Sequence, residues 1–274
     1  MRNLWSANLF RLKKSRLFRG ILLGSFVFGV FMCGIRVHER QAYGVNVCLD
    51  SVFFGWSLLV GWVMAVFIPA FFGAEYSDGT LRSKVAAGHR RAAVYLVNLL
   101  TAFAAAMMFS AVYMLACILT GLPLIGGLTV SSRTVLWCVL GAAVTALAFC
   151  AVFLFITMLA SRRSVSAVCV LLLTVGLFIG AIALDYRLNE PEYCLFVDIQ
   201  GATVGEEPVR NPAYLSGRTR QVYEMLYDMT PAGQAIRYSN LELVHMERWV
   251  LYALGVTAVV TAAGAVLFQR KDLK

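Results

Sequence analysis

The chain has 274 residues, of which 60% are hydrophobic and 14% are charged, and its mean hydropathy is +0.74. A water-soluble domain needs a larger share of polar surface, so this composition excludes an ordinary soluble globular protein. The formal net charge of +9 indicates contact with anionic lipid or an acidic protein surface. Aromatic and basic residues do not interleave as they do in RNA-binding proteins, so no nucleic-acid partner is expected.

The N-terminal segment, residues 1–19, is predicted to contain an amphipathic helix over residues 3–17 that lies on the membrane interface. Trp5, Leu9 and Phe10 recur at helical spacing beside a basic stretch, so the aromatic side chains would enter the interface. The alternative is that this segment is only the basic flank of the first span. No small-residue cleavage site follows the first apolar run, so a signal peptide is not expected.

Six apolar runs are long enough to cross about 30 Å of hydrocarbon, which takes a helix of about 20 residues. The first run is short, and the third and fourth are longer than a bilayer requires. Backbone groups in hydrocarbon have no water to bond, and the runs do not alternate, so helices rather than barrel strands are expected. The predicted fold class is an all-α membrane protein, with its first five spans within residues 20–184. We place the six runs at residues 20–35, 52–74, 92–121, 134–160, 164–184 and 249–268.

Basic residues predict which side of this bundle is cytoplasmic. Fifteen Lys and Arg residues lie before the first span, after the second, after the fourth and after the sixth, whereas the short loops opposite hold three. The positive-inside rule therefore places both termini in the cytoplasm, which agrees with an even number of spans. The predicted location is a bacterial cytoplasmic membrane, which the chain crosses several times. The last segment, residues 249–274, would contain the sixth span and a cytoplasmic tail.

The segment from residue 185 to 248 is predicted to be a large extracytoplasmic loop before the sixth span. Val222, Met225 and Met229 are spaced for one short helix within residues 214–229, and Thr230-Pro231 begins a second that extends through Arg237. We expect these helices to cap the outer mouth of the bundle or to re-enter its edge. The alternative is an exposed and partly irregular loop.

Cysteine placement gives little functional information. Cys48 and Cys194 are predicted on the outer side and could pair, which the sequence leaves open, and the other five cysteines lie in apolar runs. The three histidines are isolated, so a metal site is not expected.

The second predicted cytoplasmic loop, residues 75–91, has the composition of a short surface helix. Ser77 or Asp78 is expected to cap this helix, and Gly88 is placed to end it. A capped helix held between two spans is suited to dock a partner and to transmit its motion.

The middle of this loop is amphipathic. Leu81 and Val85 are four residues apart and share one face, whereas Arg82 and Lys84 are expected to point elsewhere. The basic side chains would therefore form the edge that meets a partner.

The residues of this loop also match a known pattern. Glu75 is followed by Gly79-Thr80-Leu81-Arg82 and then by Gly88-His89-Arg90-Arg91. This arrangement resembles the coupling loop of ABC-2 type transporter permeases, E-x-x-x-G-T-L-R followed by a basic G-x-x-R element. Phe268-Gln269-Arg270-Lys271-Asp272 similarly resembles the F-x-R-K-D finish of that family. The resemblance extends to the interfacial helix, the six spans, the coupling helix after the second span and the large outer loop.

The resemblance implies the membrane-spanning permease subunit of an ATP-driven ABC exporter. ATP and Mg would be bound by a separate ABC ATPase subunit. This chain would then carry no cofactor and would not itself be an enzyme. The sequence lacks a G-x-x-x-x-G-K-[ST] phosphate loop, in agreement with this division of roles. A second permease chain, identical or related, would complete the transporter. The residues assigned to ATPase coupling are Glu75, Asp78, Gly79, Thr80, Leu81, Arg82, Lys84, Val85, Gly88, Arg90 and Arg91.

Glu75 has two interpretations at this point: a hinge anchor paired with Arg82 or Arg90, or an ordinary interfacial carboxylate. Charged residues are almost absent from the span interiors, which favours an amphipathic or hydrophobic cargo such as a drug, a peptide antibiotic or a lipid-linked molecule. Two other functions stay open, a regulatory or immunity permease-like protein and a secondary transporter. The second would predict intramembrane carboxylates or repeated halves, and neither is evident in the sequence.

Overall fold

The structure, a computed structural model, describes residues 2–160, 162–194, 209–242 and 246–271. Most of these residues are helical, and the described part also contains one antiparallel pair of two-residue strands. In chain order the elements are α1 (Arg2–Lys14), α2 (Arg16–Tyr43), α3 (Leu49–Phe53), α4 (Trp56–Phe72), α5 (Ala74–Ser77), α6 (Thr80–Ala86), α7 (Arg91–Leu124), α8 (Ser132–Leu159), α9 (Arg163–Leu188), β1 (Tyr193–Cys194), β2 (Val209–Arg210), α10 (Gly217–Met229), α11 (Pro231–Ser239) and α12 (Met246–Arg270).

Within the described part of the chain, six helical stretches are long and apolar enough to cross a membrane, which agrees with the predicted number of spans. The second of them combines α3, α4 and α5, and the other five are α2, α7, α8, α9 and α12. The prediction that the first span is short is wrong, because α2 has 28 residues. Its helix continues through Arg19 and Arg36, where the apolar run stops, and ends only at Gly44, whose φ of 65° is left-handed.

The spans differ in how much the rest of the chain covers them. More than half of the apolar stretch of α4 and of α8 is buried, but less than a quarter of that of α2, α9 and α12. Phe67 of α4 is part of the core, and its ring centroid lies 6.4 Å from that of Phe18 in α2 and 5.3 Å from that of Phe109 in α7. The exposed sides of α2, α9 and α12 are apolar and suited to contact lipid.

The N-terminal helix has one face buried in the protein and one exposed face. Leu4, Asn8 and Leu12, which are four residues apart, are buried, while Trp5 and Phe10 are 44% and 60% exposed. The helix ends at Lys14 rather than at residue 17, because Ser15 begins α2 by accepting the N–H of Phe18 at 3.3 Å. Its place on a membrane interface stays a prediction.

Two short helices, α10 and α11, follow α9 within the stretches where the sequence predicts two helices. That this segment is an extracytoplasmic loop stays a prediction. Thr230 caps α11 by accepting the N–H of Gly233 at 3.1 Å. Cys48 is a free, exposed thiol, and the side chain of Cys194 lies outside the described part of the structure, as do residues 195–208.

Helix α11 is inserted between the spans and is mostly buried. Ser57 of α4 donates a hydrogen bond to the carbonyl oxygen of Ala235 at 2.8 Å. Thr145 of α8 donates to the side-chain oxygen of Gln234 at 2.8 Å. Because Gly141 of α8 has no side chain, the ring of Tyr238 can lie directly against its backbone. Helix α11 is therefore held among α4, α8 and α9 by both hydrogen bonds and close packing.

Replacing Gly141 by Leu should disturb this packing. A Cβ at this position would lie 2.2 Å from the hydroxyl oxygen of Tyr238 and 2.6 Å from the ring carbon that bears it. Overpacking of this kind costs about 1–3 kcal/mol, so we expect a lower midpoint of thermal unfolding in detergent. The matched control is Gly176→Leu in α9, where nothing lies within 4 Å of the added Cβ. Equal midpoints for the two variants would contradict the insertion of α11.

Candidate functional site

The second loop, residues 75–91, is built from two short helices and two left-handed glycines. Gly79 has a φ of 67° and separates α5 from α6, and Gly88, with a φ of 84°, follows the end of α6. Gly88 therefore ends the helix as predicted. The predicted cap at Ser77 or Asp78 is wrong, because the N-cap position is occupied by Gly79, which has no side chain to accept a hydrogen bond.

Glu75 is the first residue of this loop, and its side chain is completely buried. One of its carboxylate oxygens, Oε1, is 2.6 Å from Nη2 of Arg11 in α1 and 2.8 Å from Nζ of Lys84 in α6. The other, Oε2, accepts a hydrogen bond from Nδ2 of Asn98 in α7 at 3.2 Å. A buried carboxylate is costly unless it is paired and hydrogen-bonded, and here three helices supply its partners.

Two asparagines extend this network away from the carboxylate. Asn8 of α1 donates to Oδ1 of Asn98 at 2.8 Å and accepts from Nζ of Lys84 at 3.0 Å. Both asparagines are buried, so their amide groups depend on these partners. We call Asn8, Arg11, Glu75, Lys84 and Asn98 the Glu75 cluster. It joins α1, α5, α6 and α7 by side-chain contacts alone.

The same end of the bundle is fixed a second time by the residue after α12. Nζ of Lys271 donates to the carbonyl oxygens of Met158, Leu159 and Ala160 at 3.2, 2.9 and 3.2 Å, where α8 ends. The unpaired carbonyls at a helix C-terminus favour a cation. Lys271 also donates to the hydroxyl oxygen of Tyr76 at 3.2 Å, next in sequence to Glu75.

Arg91, at the start of α7, contacts the same region. Its guanidinium donates to the carbonyl oxygens of Gln269 and Lys271 at 3.0 and 2.5 Å. The predicted partner-binding residue Arg91 is therefore engaged within the chain. Of the C-terminal motif, residues 268–272, the structure describes residues 268–271; residues 272–274 lie outside the described part.

Burial opposes the charge of Lys84. Loss of water lowers the pKa of its ammonium group, as does the neighbouring Arg11, while the carboxylate of Glu75 raises it. The carboxylate of Glu75 thus partly offsets the effect of burial on the pKa of Lys84. The cluster contains two cations and one carboxylate, and each cation has a further partner. Lys84 donates to the side-chain oxygen of Asn8, and the guanidinium of Arg11 lies 4.2 Å from the centroid of the Phe71 ring.

The structure divides the predicted coupling residues into two groups. Glu75 pairs with Arg11 and Lys84, so the predicted pairing of Glu75 with Arg82 or Arg90 is wrong. Lys84 points inward, which corrects the expectation that it lies with Arg82 on an outer edge. Leu81 is buried as well, and Val85 and Gly79 are partly covered. The exposed members are Asp78, Thr80, Arg82, Gly88 and Arg90.

Asn8, Arg11 and Asn98 were not among the predicted site residues. The signals for two of them are present in the sequence: Asn98 is the polar exception in a long apolar run, and Asn8 lies between Leu4 and Leu12 on one helix face. What this site can do follows from its composition. It holds helices together through ion pairs and amides, and among the described ranges no three His, Cys, Asp or Glu side chains gather as metal ligands.

Comparisons with known proteins give no family for this chain. No protein-family model matches it, and no curated protein matches it.

Lys84 and Arg82 are two residues apart and should behave oppositely when their charge is removed. Lys84→Gln takes a cation from the buried carboxylate, which should destabilise the protein by about 1–3 kcal/mol. Arg82→Gln changes an exposed side chain and should shift stability by less than about 0.5 kcal/mol. Thermal unfolding of both variants in the same detergent measures the difference. A larger loss for Arg82→Gln would contradict the inward position of Lys84.

Proposed function

We propose that this chain is the membrane-spanning permease subunit of an ATP-driven ABC-2 type exporter. Its partner would be a separate ABC ATPase subunit that binds ATP and Mg, and a second permease chain would complete the transporter. The cargo would be amphipathic or hydrophobic. The orientation with α6 on the cytoplasmic side belongs to the same proposal and rests on the distribution of basic residues.

The observation that supports this proposal best is the two-sided construction of α6. Its inner face is fixed by buried Leu81 and by the ion pair of Lys84 with Glu75. Its outer face leaves Arg82 exposed, and Arg90 is exposed just beyond it. A helix that only terminated a loop would not need a buried ion pair. A helix that must transmit force from a partner needs a rigid attachment on one side and an accessible surface on the other.

The Glu75 cluster also defines a route by which such force would reach the spans. Glu75 lies in α5, three residues after the end of α4, and Asn98 lies in the second turn of α7. A push on α6 would pass through Lys84 to Glu75, and from Glu75 to Asn98. Closure of the ATPase pair would then move the ends of the second and third spans together with α1. Small shifts are transmitted over distance because packed, hydrogen-bonded elements do not deform continuously.

The proposal predicts that charge reversal at Arg82 breaks the contact with the ATPase without unfolding the permease. We would co-purify the chain in detergent with the ATPase encoded nearest to it, and measure the bound ATPase and its ATP hydrolysis. Arg82→Glu should reduce the bound ATPase by about tenfold or more, because like charges at an interface repel and leave a polar group unpaired. Its unfolding midpoint should match that of the unmodified chain.

The matched control is Arg218→Glu, at an arginine in α10 that is also exposed. It should leave the bound ATPase unchanged, since α10 lies beyond α9 in the outer segment. Failure of the unmodified chain to retain any ATPase would refute the proposal, and so would an equal loss in both variants.

A further inference from the structure

A cavity of about 450 Å³ lies at the end of the bundle opposite α6. It opens between the second half of α2 and the first half of the second span, and Tyr113 of α7 closes its inner side. Clefts that bind a single small molecule have volumes of roughly 300–1,000 Å³ and mostly apolar walls with a few polar groups. The cavity has this size, and its walls follow the same pattern.

The apolar part of the cavity is formed by aromatic side chains that are held in place. Trp62 lines it and stacks on Phe178 of α9, with ring centroids 5.0 Å apart and planes 19° apart. Phe28 lines it next to Tyr113, whose hydroxyl donates to the carbonyl oxygen of Val52 at 3.0 Å. These contacts fix the walls before any ligand binds, which reduces the entropy lost on binding.

The polar part lies at one end. Arg36 and Glu39, one turn apart on α2, line the cavity and form an ion pair of 2.8 Å through Nη1 of Arg36. A guanidinium has five N–H donors, and Glu39 engages one of its nitrogens, so Arg36 keeps donors for another acceptor. Arg40 follows in the same turn, so this end of α2 has a net positive charge.

We propose that this cavity binds one compact anionic amphiphile, with its carboxylate or phosphate on Arg36 and its apolar body against Phe28, Met32 and Trp62. The volume fits a single-chain or ring-bearing molecule better than a phospholipid with two full acyl chains. The site is inferred from the cavity alone. That its ligand is also the exported cargo rests on the proposed function.

The probe is 11-(dansylamino)undecanoic acid, a single-chain fluorescent carboxylate, and its methyl ester has the same body without the charge. Binding is measured as saturable energy transfer from tryptophan to the dansyl group, with the purified chain in phosphatidylcholine nanodiscs and empty discs as background. We expect the acid to bind about tenfold more tightly than the ester, the usual effect of one charge-assisted hydrogen bond. No ATPase is present, so failure here is distinct from failure of the permease proposal.

Three substitutions locate the site. Arg36→Gln should remove the preference for the acid and leave ester binding unchanged, whereas Arg36→Lys should retain most of the preference. Arg40→Gln, the matched control on the same turn, should have little effect because Arg40 does not line the cavity. Leu58→Trp should fill the cavity and abolish binding of both probes, while Leu172→Trp on the exposed side of α9 should not.

Equal affinity for acid and ester in the unmodified chain would overturn the proposal, as would equal effects of Arg36→Gln and Arg40→Gln. Unchanged binding in Leu58→Trp would show that the probe lies elsewhere. Discs that contain phosphatidylglycerol test the source of the ligand. If they abolish probe binding, a two-chain anionic lipid occupies the cavity and the assignment to a compact amphiphile is wrong; undiminished binding supports it.

Discussion

The burial of one carboxylate determines how one end of this molecule is organised. Glu75 has no contact with water, so it requires cations and donors from its surroundings. Arg11, which precedes Glu75 in the chain, and Lys84, which follows it, both pair with one carboxylate oxygen. Asn98 donates a hydrogen bond to the other oxygen. Removing Arg11 or Lys84 takes away one of the two cations that pair with this carboxylate, and removing Asn98 takes away the donor to its other oxygen. The helices α1, α6 and α7 are therefore held in a fixed relation by an electrostatic need rather than by apolar packing alone.

The opposite end is organised by packing. Helix α11 fits between α4, α8 and α9 because Gly141 permits the close approach of Tyr238. The cavity beside α2 remains open where Trp62, Phe28 and Tyr113 cannot fill the space between two spans. In a protein whose outer helices face lipid, burial of apolar area does little to join them, so shape and hydrogen bonds decide the arrangement. One end is thus arranged by the pairing of a buried charge, and the other by the close packing of side chains.

The sequence predicted where the long helices lie, but it did not predict which side chains pair between helices. Long apolar runs predict all six spans, and Thr230-Pro231 predicts the start of α11, because both signals are local. The length of α2 was underestimated because Arg36 interrupts the apolar run without interrupting the backbone hydrogen bonds. The partners of Glu75 were missed for a different reason. Arg11 is 64 positions away in the chain, and no local pattern shows which cation a carboxylate will meet across helices.

Lys271 adds a consequence for the order in which the protein is made. Its ammonium group closes the end of α8 and contacts Tyr76, and Arg91 contacts the backbone at the end of α12. During synthesis, α5 and α6 emerge long before α12 is inserted. Until then the carbonyl oxygens at the end of α8 lack the ammonium group that donates hydrogen bonds to them in the complete protein. The contacts of Lys271 with Tyr76 and with the end of α8 therefore form only after the sixth span is in place, whereas the Glu75 cluster consists of residues that all precede that span in the chain.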